Sequence, residues 1–399
     1  MIQSNNISGQ PVISQLIKFI PRELVCRTAD KHKSDRYVKT FKTYDHLITL
    51  LYSVLSNCTS LRELSTAMLA CEGKLNHLRI DYFPKRSTLA DANIRRSHEV
   101  FADIYYGLLK TYKPLLSDSC SGNAPVKNLF AVDSSTIGLF SDVLKGAGRN
   151  PHNGKKKGGM KIHTLMQTNE DVPCLVNLTS AATHDRKFLN QIHLPKDSWI
   201  VFDKAYTDYG YFARLTEEEN YFVTRQKENA VYDSIEEFDI PDDAPNQLLR
   251  DEHIHIIKDG LNLCLRRIAW MDQESKKCFE FITNNFSVPA QTIADVYRHR
   301  WKIELLFKRL KQNFSLQYFL GDSANAIMIQ VWVCLIAHLI LKIIQLKATK
   351  QKWAFSNLTS LIRFHLMSYI RLFDFLKNPY ASFEKLTTKN IGQQQLFSP

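Results

Sequence analysis

Two short apolar runs, LFAVD at residues 129–133 and WIVFD at 199–203, each end on an aspartate. Apolar runs of this length, bounded by turn-forming residues, read as strands buried on both faces. A carboxylate ending such a strand sits on the sheet rim, where open α/β sheets bind ligands. A single aspartate there is commonly a turn residue. Two at equivalent strand ends, Asp133 and Asp203, point to a site.

The pattern around them supports this. NLFAVDSSTIGLF, GGMKIHTLMQT and CLVNLTSAA read as three successive strands, followed by DRKFLNQI as a short helix and SWIVFDKAY as a fourth strand. YGYFARLTEE is a further helix and NYFVTRQ a fifth strand. The order β-β-β-α-β-α-β predicts an α/β domain of ribonuclease-H-like (retroviral-integrase-like) type, with antiparallel strands first and parallel ones reached through helices. Alternating stretches such as EHIHII and LNLCLRRIAW, with KDG between them, predict a β insertion at about residues 228–285. Such a sheet calls for a third acid on a late helix.

That acid is Glu304. In VYRHRWKIELLFKRLKQNF, residues 296–314, Arg298, Arg300, Lys302, Lys308, Arg309 and Lys311 surround one carboxylate. At about 100° per residue, Tyr297, Arg300, Glu304 and Lys311 project within about 60° of one another. Val296, Ile303, Phe307, Leu310 and Phe314 form the adjoining apolar stripe, leaving Arg298, Lys302 and Arg309 as a solvated flank. A salt bridge alone explains Glu304 beside Arg300 or Lys308, but not the alignment of all four. Asp133, Asp203 and Glu304 together could hold two divalent ions, hard cations that prefer oxygen ligands. Two ions about 3.5–4 Å apart can activate an attacking oxygen and stabilise the leaving oxygen of a phosphodiester. Tyr297, Arg300 and Lys311 would grip phosphates beside them.

Lys and Arg outnumber Asp and Glu by 52 to 40, a net charge of +12 with a pI near 9.2. The excess favours a polyanionic partner such as nucleic acid. The eight cysteines show no Cys-x-x-Cys and no paired Cys/His spacing, which argues against a zinc finger and a disulfide framework and fits a reducing compartment. MIQSNNISGQ carries no signal-peptide pattern. The long apolar stretch from Ala326 is interrupted by Gln330, His338 and Lys342, whereas a bilayer span needs about twenty largely uninterrupted apolar residues. It reads as a core helix of a cytoplasmic protein without a membrane partner.

The expected organisation is a helical domain at 1–118, a linker at 119–126, the α/β domain at 127–345 and a helical region at 346–399. TSLRELSTAML and KRSTLADANIRRSHEVF, the second carrying Lys85, Arg86, Arg95 and Arg96, could be a helix-turn-helix reading a groove; a plain helical bundle with a basic face explains them equally. Lys155, Lys156 and Lys157 could track phosphates or form a solvated turn. Arg225 faces either DNA or a structural carboxylate. His184-Asp185 reads as a helix N-cap rather than a catalytic pair.

Tyr297-x2-Arg300-x3-Glu304-x6-Lys311 resembles the Tyr-Arg-Glu-Lys signature of the IS-four family of bacterial insertion-sequence transposases. AVDSSTI and VFDKAY resemble its first and second Asp segments, YFVTRQK the strand that follows, and VISQLIKFIPRELVCRTADKH onward the N-terminal domain found on many members. The resemblance covers about residues 125 to 345. It implies a ribonuclease-H-like DDE domain with a β insertion after the fifth strand, and Asp133, Asp203 and Glu304 as ligands of two Mg²⁺ ions (with Mn²⁺ as a substitute). It also implies DNA contacts from Tyr297, Arg300 and Lys311, cleavage at terminal inverted repeats, joining of the 3′-OH to target DNA, and a homodimer bridging both ends. In some members an aromatic residue of the insertion aids a hairpin step; Trp270 is the Trp of that region here, and it reads as a β-core residue. The competing functions are a stand-alone ribonuclease-H-like nuclease and a transposase-derived DNA-binding protein that has lost catalysis.

Overall fold

The computed structural model describes residues 10–80, 82–118, 124–138, 159–240, 244–314, 316, 318–348 and 353–380. They form two compact units, Met1–Lys113 with Arg309–Pro399, and Pro114–Lys308. These limits cut the chain at other places than the expected 118, 126 and 345, and they fall inside the helices His98–Asp118 and Trp301–Asn313.

The first unit is helical. Its central element is the helix Ala324–Lys347, started by Ser323, whose hydroxyl accepts from the Ala326 amide at 3.1 Å. By length and composition it could cross a bilayer, but 89% of its most apolar stretch is buried inside the protein. It packs on the helices Thr43–Ser56, Arg86–Arg95 and Phe355–His365. Its polar interruptions are used: the Gln330 side chain accepts from the Leu320 amide at 2.9 Å and donates to the Tyr318 carbonyl at 2.9 Å. The Asn325 carboxamide donates to the carbonyls of Asn93 and Arg96 at 2.7 and 2.6 Å and accepts from the His98 amide at 3.0 Å. Residues more than 200 positions apart thus close one bundle, which is why the late helices group with the early ones.

Of the two readings open for TSLRELSTAML and KRSTLADANIRRSHEVF, the helical bundle is the one formed, not the helix-turn-helix. Helices Leu61–Leu69 and Arg86–Arg95 are separated by a further helix, Leu75–Leu78, where that motif has a turn of about three or four residues. The first of them starts at Ser60, whose hydroxyl accepts from the Glu63 amide at 3.1 Å.

The second unit is built on one nine-stranded sheet. Its strands are β1 (Leu129–Gly138), β2 (Gly159–Gln167), β3 (Val172–Ser180), β4 (Trp199–Phe202), β5 (Tyr221–Arg225), β6 (Asp233–Glu237), β7 (Leu248–Lys258), β8 (Leu261–Met271) and β9 (Cys278–Thr283). The order is β3-β2-β1-β4-β5-β9-β8-β7-β6. β1 and β2 pair antiparallel, as do β2 and β3, whereas β1–β4 and β4–β5 are parallel. This is the expected ribonuclease-H-like arrangement. The β insertion extends this sheet, because β9 pairs antiparallel with β5. β7 and β8 meet in a hairpin at Asp259 and Gly260, with φ of 53° and 78°, the all-positive geometry of a two-residue turn. One face is filled by Phe202, Phe212 and Phe222, with the last two rings 4.2 Å apart. Trp270 is a buried residue of β8, 4% exposed.

A fragment of residues 1–118 lacks the helix that fills the middle of its bundle. It is expected to melt without a cooperative transition, whereas the full chain unfolds cooperatively; a sharp transition in the fragment by circular dichroism would show that the early helices hold a core of their own.

Candidate active site

Strand register assembles the site. β1 and β4 pair through Val132 and Phe202, and β4 and β5 through Val201 and Val223. Continuing the first ladder by one step and the second by two brings Asp133, Asp203 and Arg225 side by side at neighbouring strand ends. Arg225 in turn pairs with Phe281 of β9. Side chains at equal register share a face of a sheet, so two acids, one base and one ring form a row across four strands.

The late helix supplies the rest. It is not the single helix expected over 296–314: Ala290–His299 gives way to Trp301–Asn313 at Arg300, whose amide donates to the Tyr297 carbonyl at 3.0 Å. Arg300 keeps helical dihedrals, φ −54° and ψ −32°, so the common face of Tyr297, Arg300 and Glu304 survives the junction. The Tyr297 ring lies 4.8 Å from that of Phe281. The Arg300 guanidinium lies 5.6 Å from the Tyr297 ring, donates to Glu304 at 2.6 Å and reaches to 3.9 Å from Asp133. Arg225 sits 3.4 Å from the other strand-end acid, Asp203, and 5.9 Å from the Tyr297 ring. Of the partners open to Arg225, the one it faces in the free protein is a carboxylate, that of the candidate site residue Asp203.

Asp133 accepts from the Ser134 amide at 2.8 Å, and Asp203 accepts from the Ala205 amide at 3.1 Å at the start of a tight turn. Burial raises the Asp133 carboxyl to about 6; the Ser134 amide and Arg300 pull it down, and Glu304 and Asp203 push it up. Asp133 therefore feels both other acids.

The donor set fits a hard divalent cation. It consists of carboxylate oxygens, two of which already share one cation, the Arg300 guanidinium. Arg300 and Arg225 stand where counter-charges are needed, and among the described residues no three Asp, Glu, His or Cys side chains stand close enough to hold an ion together. Bringing the three acids onto a metal requires both arginines to give way.

The opposite face of β1 holds a network that local patterns do not reveal. Ser134 pairs with His163, and Thr136 with Lys161. The Ser134 hydroxyl and the Lys161 ammonium donate to Asp185 at 2.8 and 3.0 Å, and His163 lies 3.6 Å from it. Asp185 therefore does not cap the helix Arg186–Leu189, as was expected, since its side chain makes no cap bond. It neutralises a lysine that is 2% exposed, directly behind Asp133. Its one trace in the sequence is Lys161, an ammonium among the apolar and neutral residues of β2.

Other expected site residues fare differently. Arg96 is 3% exposed, donating to the Phe41 carbonyl and to Thr43 at 3.2 Å and pairing with Asp35 at 3.3 Å. It stabilises the bundle instead of facing DNA. Arg95 is exposed, 3.8 Å from Asp91. Lys311 is exposed further along the helix, in the stretch grouped with the helical unit. Lys155, Lys156 and Lys157 lie outside the described residues. The flank is only partly solvated: Arg298 pairs with Asp295 at 2.7 Å, but Lys302 donates to the Thr168 carbonyl at 3.3 Å and Arg309 lies 5.7 Å from the Phe355 ring.

The raised Asp133 carboxyl has a stability consequence. Its proton is held more tightly in the folded state than in the unfolded one, so it stabilises the fold at low pH. That contribution is lost as pH rises through about 6. Asp133→Asn removes the penalty, and in metal-free buffer it is expected to raise stability at pH 7.5 by about 1–3 kcal/mol, with the gain shrinking toward pH 5. Thermal melts at both pH values check this; a variant less stable than wild type at pH 7.5 contradicts it.

A family model described as a transposase DDE domain matches residues 124–340, and one described as a domain of unknown function matches residues 8–80. A Sinorhizobium fredii protein named as transposase y4zB is 30% identical over 265 residues, 65% of this chain and 71% of that one. A Synechocystis protein named as the transposase of insertion sequence element IS4SA is 27% identical over 268 residues, again 65% and 71% of the two chains. A solved piggyBac transposase synaptic complex with hairpin DNA is similar at 10% identity with a TM-score of 0.47, over 96% of this chain and 84% of that one.

Proposed function

The chain belongs to the DDE-domain transposases of insertion sequences, metal-dependent DNA-cleaving enzymes, and we propose that it cuts and joins DNA through Asp133, Asp203 and Glu304. The observation that supports this most is the convergence of three acids from two strand ends and a helix on two arginines. Bound to the three carboxylates, Mg²⁺ would activate the attacking oxygen and stabilise the leaving oxygen of a phosphodiester.

The chain's own residues then divide the work. Arg300 and Arg225 neutralise the acids in the free protein, and each carries donors matched to a phosphate as well as to a carboxylate. In the DNA complex they transfer to backbone phosphates, with Tyr297 stacked between them as a fixed backing. Lys311 extends this contact along the strand. Phosphate contacts fix the register of the scissile bond and bear no sequence information. Recognition of the terminal inverted repeats falls to the helical unit, with Arg95 among its exposed bases. The freed 3′-OH is joined to target DNA, and a homodimer holds both ends in the cytoplasm at the nucleoid.

Replacing Asp133, Asp203 or Glu304 with Ala should abolish strand cleavage while leaving affinity for transposon-end DNA within a few-fold of wild type. Arg300→Ala should cut single-turnover cleavage about a hundredfold, the cost of misplacing a reacting group by about 1 Å, whereas exposed Arg298→Ala should leave it unchanged. Gel-shift and nicking assays on the same preparations decide. Near-normal cleavage by Glu304→Ala would sink the assignment.

A further inference from the structure

Asp185 lies outside the three-acid site, and the helix it precedes does not use it as a cap. Its carboxylate accepts from the Ser134 hydroxyl at 2.8 Å and from the Lys161 ammonium at 3.0 Å. Lys161 also donates to the Thr183 carbonyl at 3.0 Å, which ties the segment carrying Asp185 to β2. His163 stands 3.6 Å away, but burial lowers its pKa to about 4, so it is uncharged at neutral pH. The charge that balances Asp185 is that of Lys161.

Stability does not call for such a pair. Replacing a buried ion pair by apolar residues of similar volume is often neutral or stabilising. The neighbours in β2, Met160, Ile162 and Leu165, are apolar and buried. A lysine 2% exposed among them points to a task other than holding the sheet together.

Ser134 shows what that task is. The β1–β4 ladder ends at Val132 and Phe202, whereas the β1–β2 ladder runs on through Asp133 and Ser134. From Asp133 onward β1 is therefore paired on the β2 side, with the β4 ladder behind it. Asp133 and Ser134 point to opposite faces of the sheet. Ser134 donates toward both: its amide to the Asp133 carboxylate at 2.8 Å, and its hydroxyl to Asp185 at 2.8 Å. Asp185 is thus linked through one residue to a carboxylate that must keep its orientation to hold an ion.

We propose that Asp185 is a positioning residue for the divalent-cation site: held by Lys161, it fixes Ser134, and Ser134 fixes the Asp133 carboxylate. The proposal rests on the reading that Asp133 is a metal ligand, and it names what steadies that ligand from the opposite face of the sheet. Hydrogen-bond partners standing behind a ligating group typically contribute about 10–100-fold to metal affinity or activity. Asp185 touches neither metal nor DNA in this role. It acts through Ser134.

Two variants break this chain of contacts at different links. Ser134→Ala removes the hydroxyl and leaves the Lys161–Asp185 pair in place. Lys161→Met combined with Asp185→Leu removes both partners together, so that no buried charge is left unpaired. Each is compared with the wild type and with Asp133→Asn, as full-length protein with a terminal-inverted-repeat duplex. Mn²⁺ binding is followed by electron paramagnetic resonance, folding by thermal melts, and cleavage as a function of Mg²⁺ concentration. Both variants should bind Mn²⁺ about tenfold more weakly and need about tenfold more Mg²⁺ for half-maximal cleavage. Duplex affinity should be unchanged and the melting temperature within a few degrees of wild type. A purely structural pair moves the melting temperature and not the metal dependence. Wild-type Mn²⁺ affinity and Mg²⁺ dependence in either variant, while Asp133→Asn loses the ion, overturns the positioning role alone. So does a loss that comes only with a melting temperature lowered by more than a few degrees. Mn²⁺ binding by Asp133→Asn equal to wild type overturns the metal-ligand reading, and the positioning role with it.

Discussion

The Arg300 guanidinium, between Glu304 at 2.6 Å and Asp133 at 3.9 Å, is the interaction on which the site depends. Carboxylates drawn together in a partly buried place repel one another; burial first, and then Glu304 and Asp203, raise the Asp133 carboxyl. Arg300 offsets it on one side and Arg225 on the other. Both bases sit against the Tyr297 ring, at 5.6 and 5.9 Å. The fold thus holds three acids near one another at a cost in stability, an arrangement typical of sites kept for chemistry.

Everything around this contact fixes its position. β1, β4 and β5 hold Asp133, Asp203 and Arg225 at one register, and β9 adds Phe281, the ring on which Tyr297 rests. The insertion is therefore part of the site's foundation, because its last strand carries the ring beneath the late helix. From the other face, Lys161 and Asp185 brace β1 at Ser134. Removing one partner of such a buried pair leaves an uncompensated charge, which typically costs about 3–5 kcal/mol.

Much of this was legible in the chain. The two aspartates end apolar runs, and that break in pattern marks a strand end whatever the fold. The common face of Tyr297, Arg300 and Glu304 follows from helical spacing, and it persists because Arg300 keeps helical dihedrals. The transposase resemblance read from the same residues agrees with the family match over 124–340. What stayed hidden depends on contacts between distant residues. A count of charges gives Arg96 and Arg95 equal standing, yet one is buried on Asp35 and the other exposed. Arg309 likewise looks solvated by spacing and instead lies on the Phe355 ring. The union of β9 with β5, and of the helix Ala324–Lys347 with Thr43–Ser56, pairs segments whose local patterns say nothing of their partners.

The central claim is that the three acids gathered around Arg300 and Arg225 form a divalent-cation site. Electron paramagnetic resonance of Mn²⁺ added to the full-length protein with transposon-end DNA measures this without relying on cleavage. The account predicts specific Mn²⁺ binding by the wild type that is lost or at least tenfold weaker in both Asp133→Asn and Glu304→Gln, with DNA affinity retained. Equal Mn²⁺ binding by the wild type and both variants would contradict it.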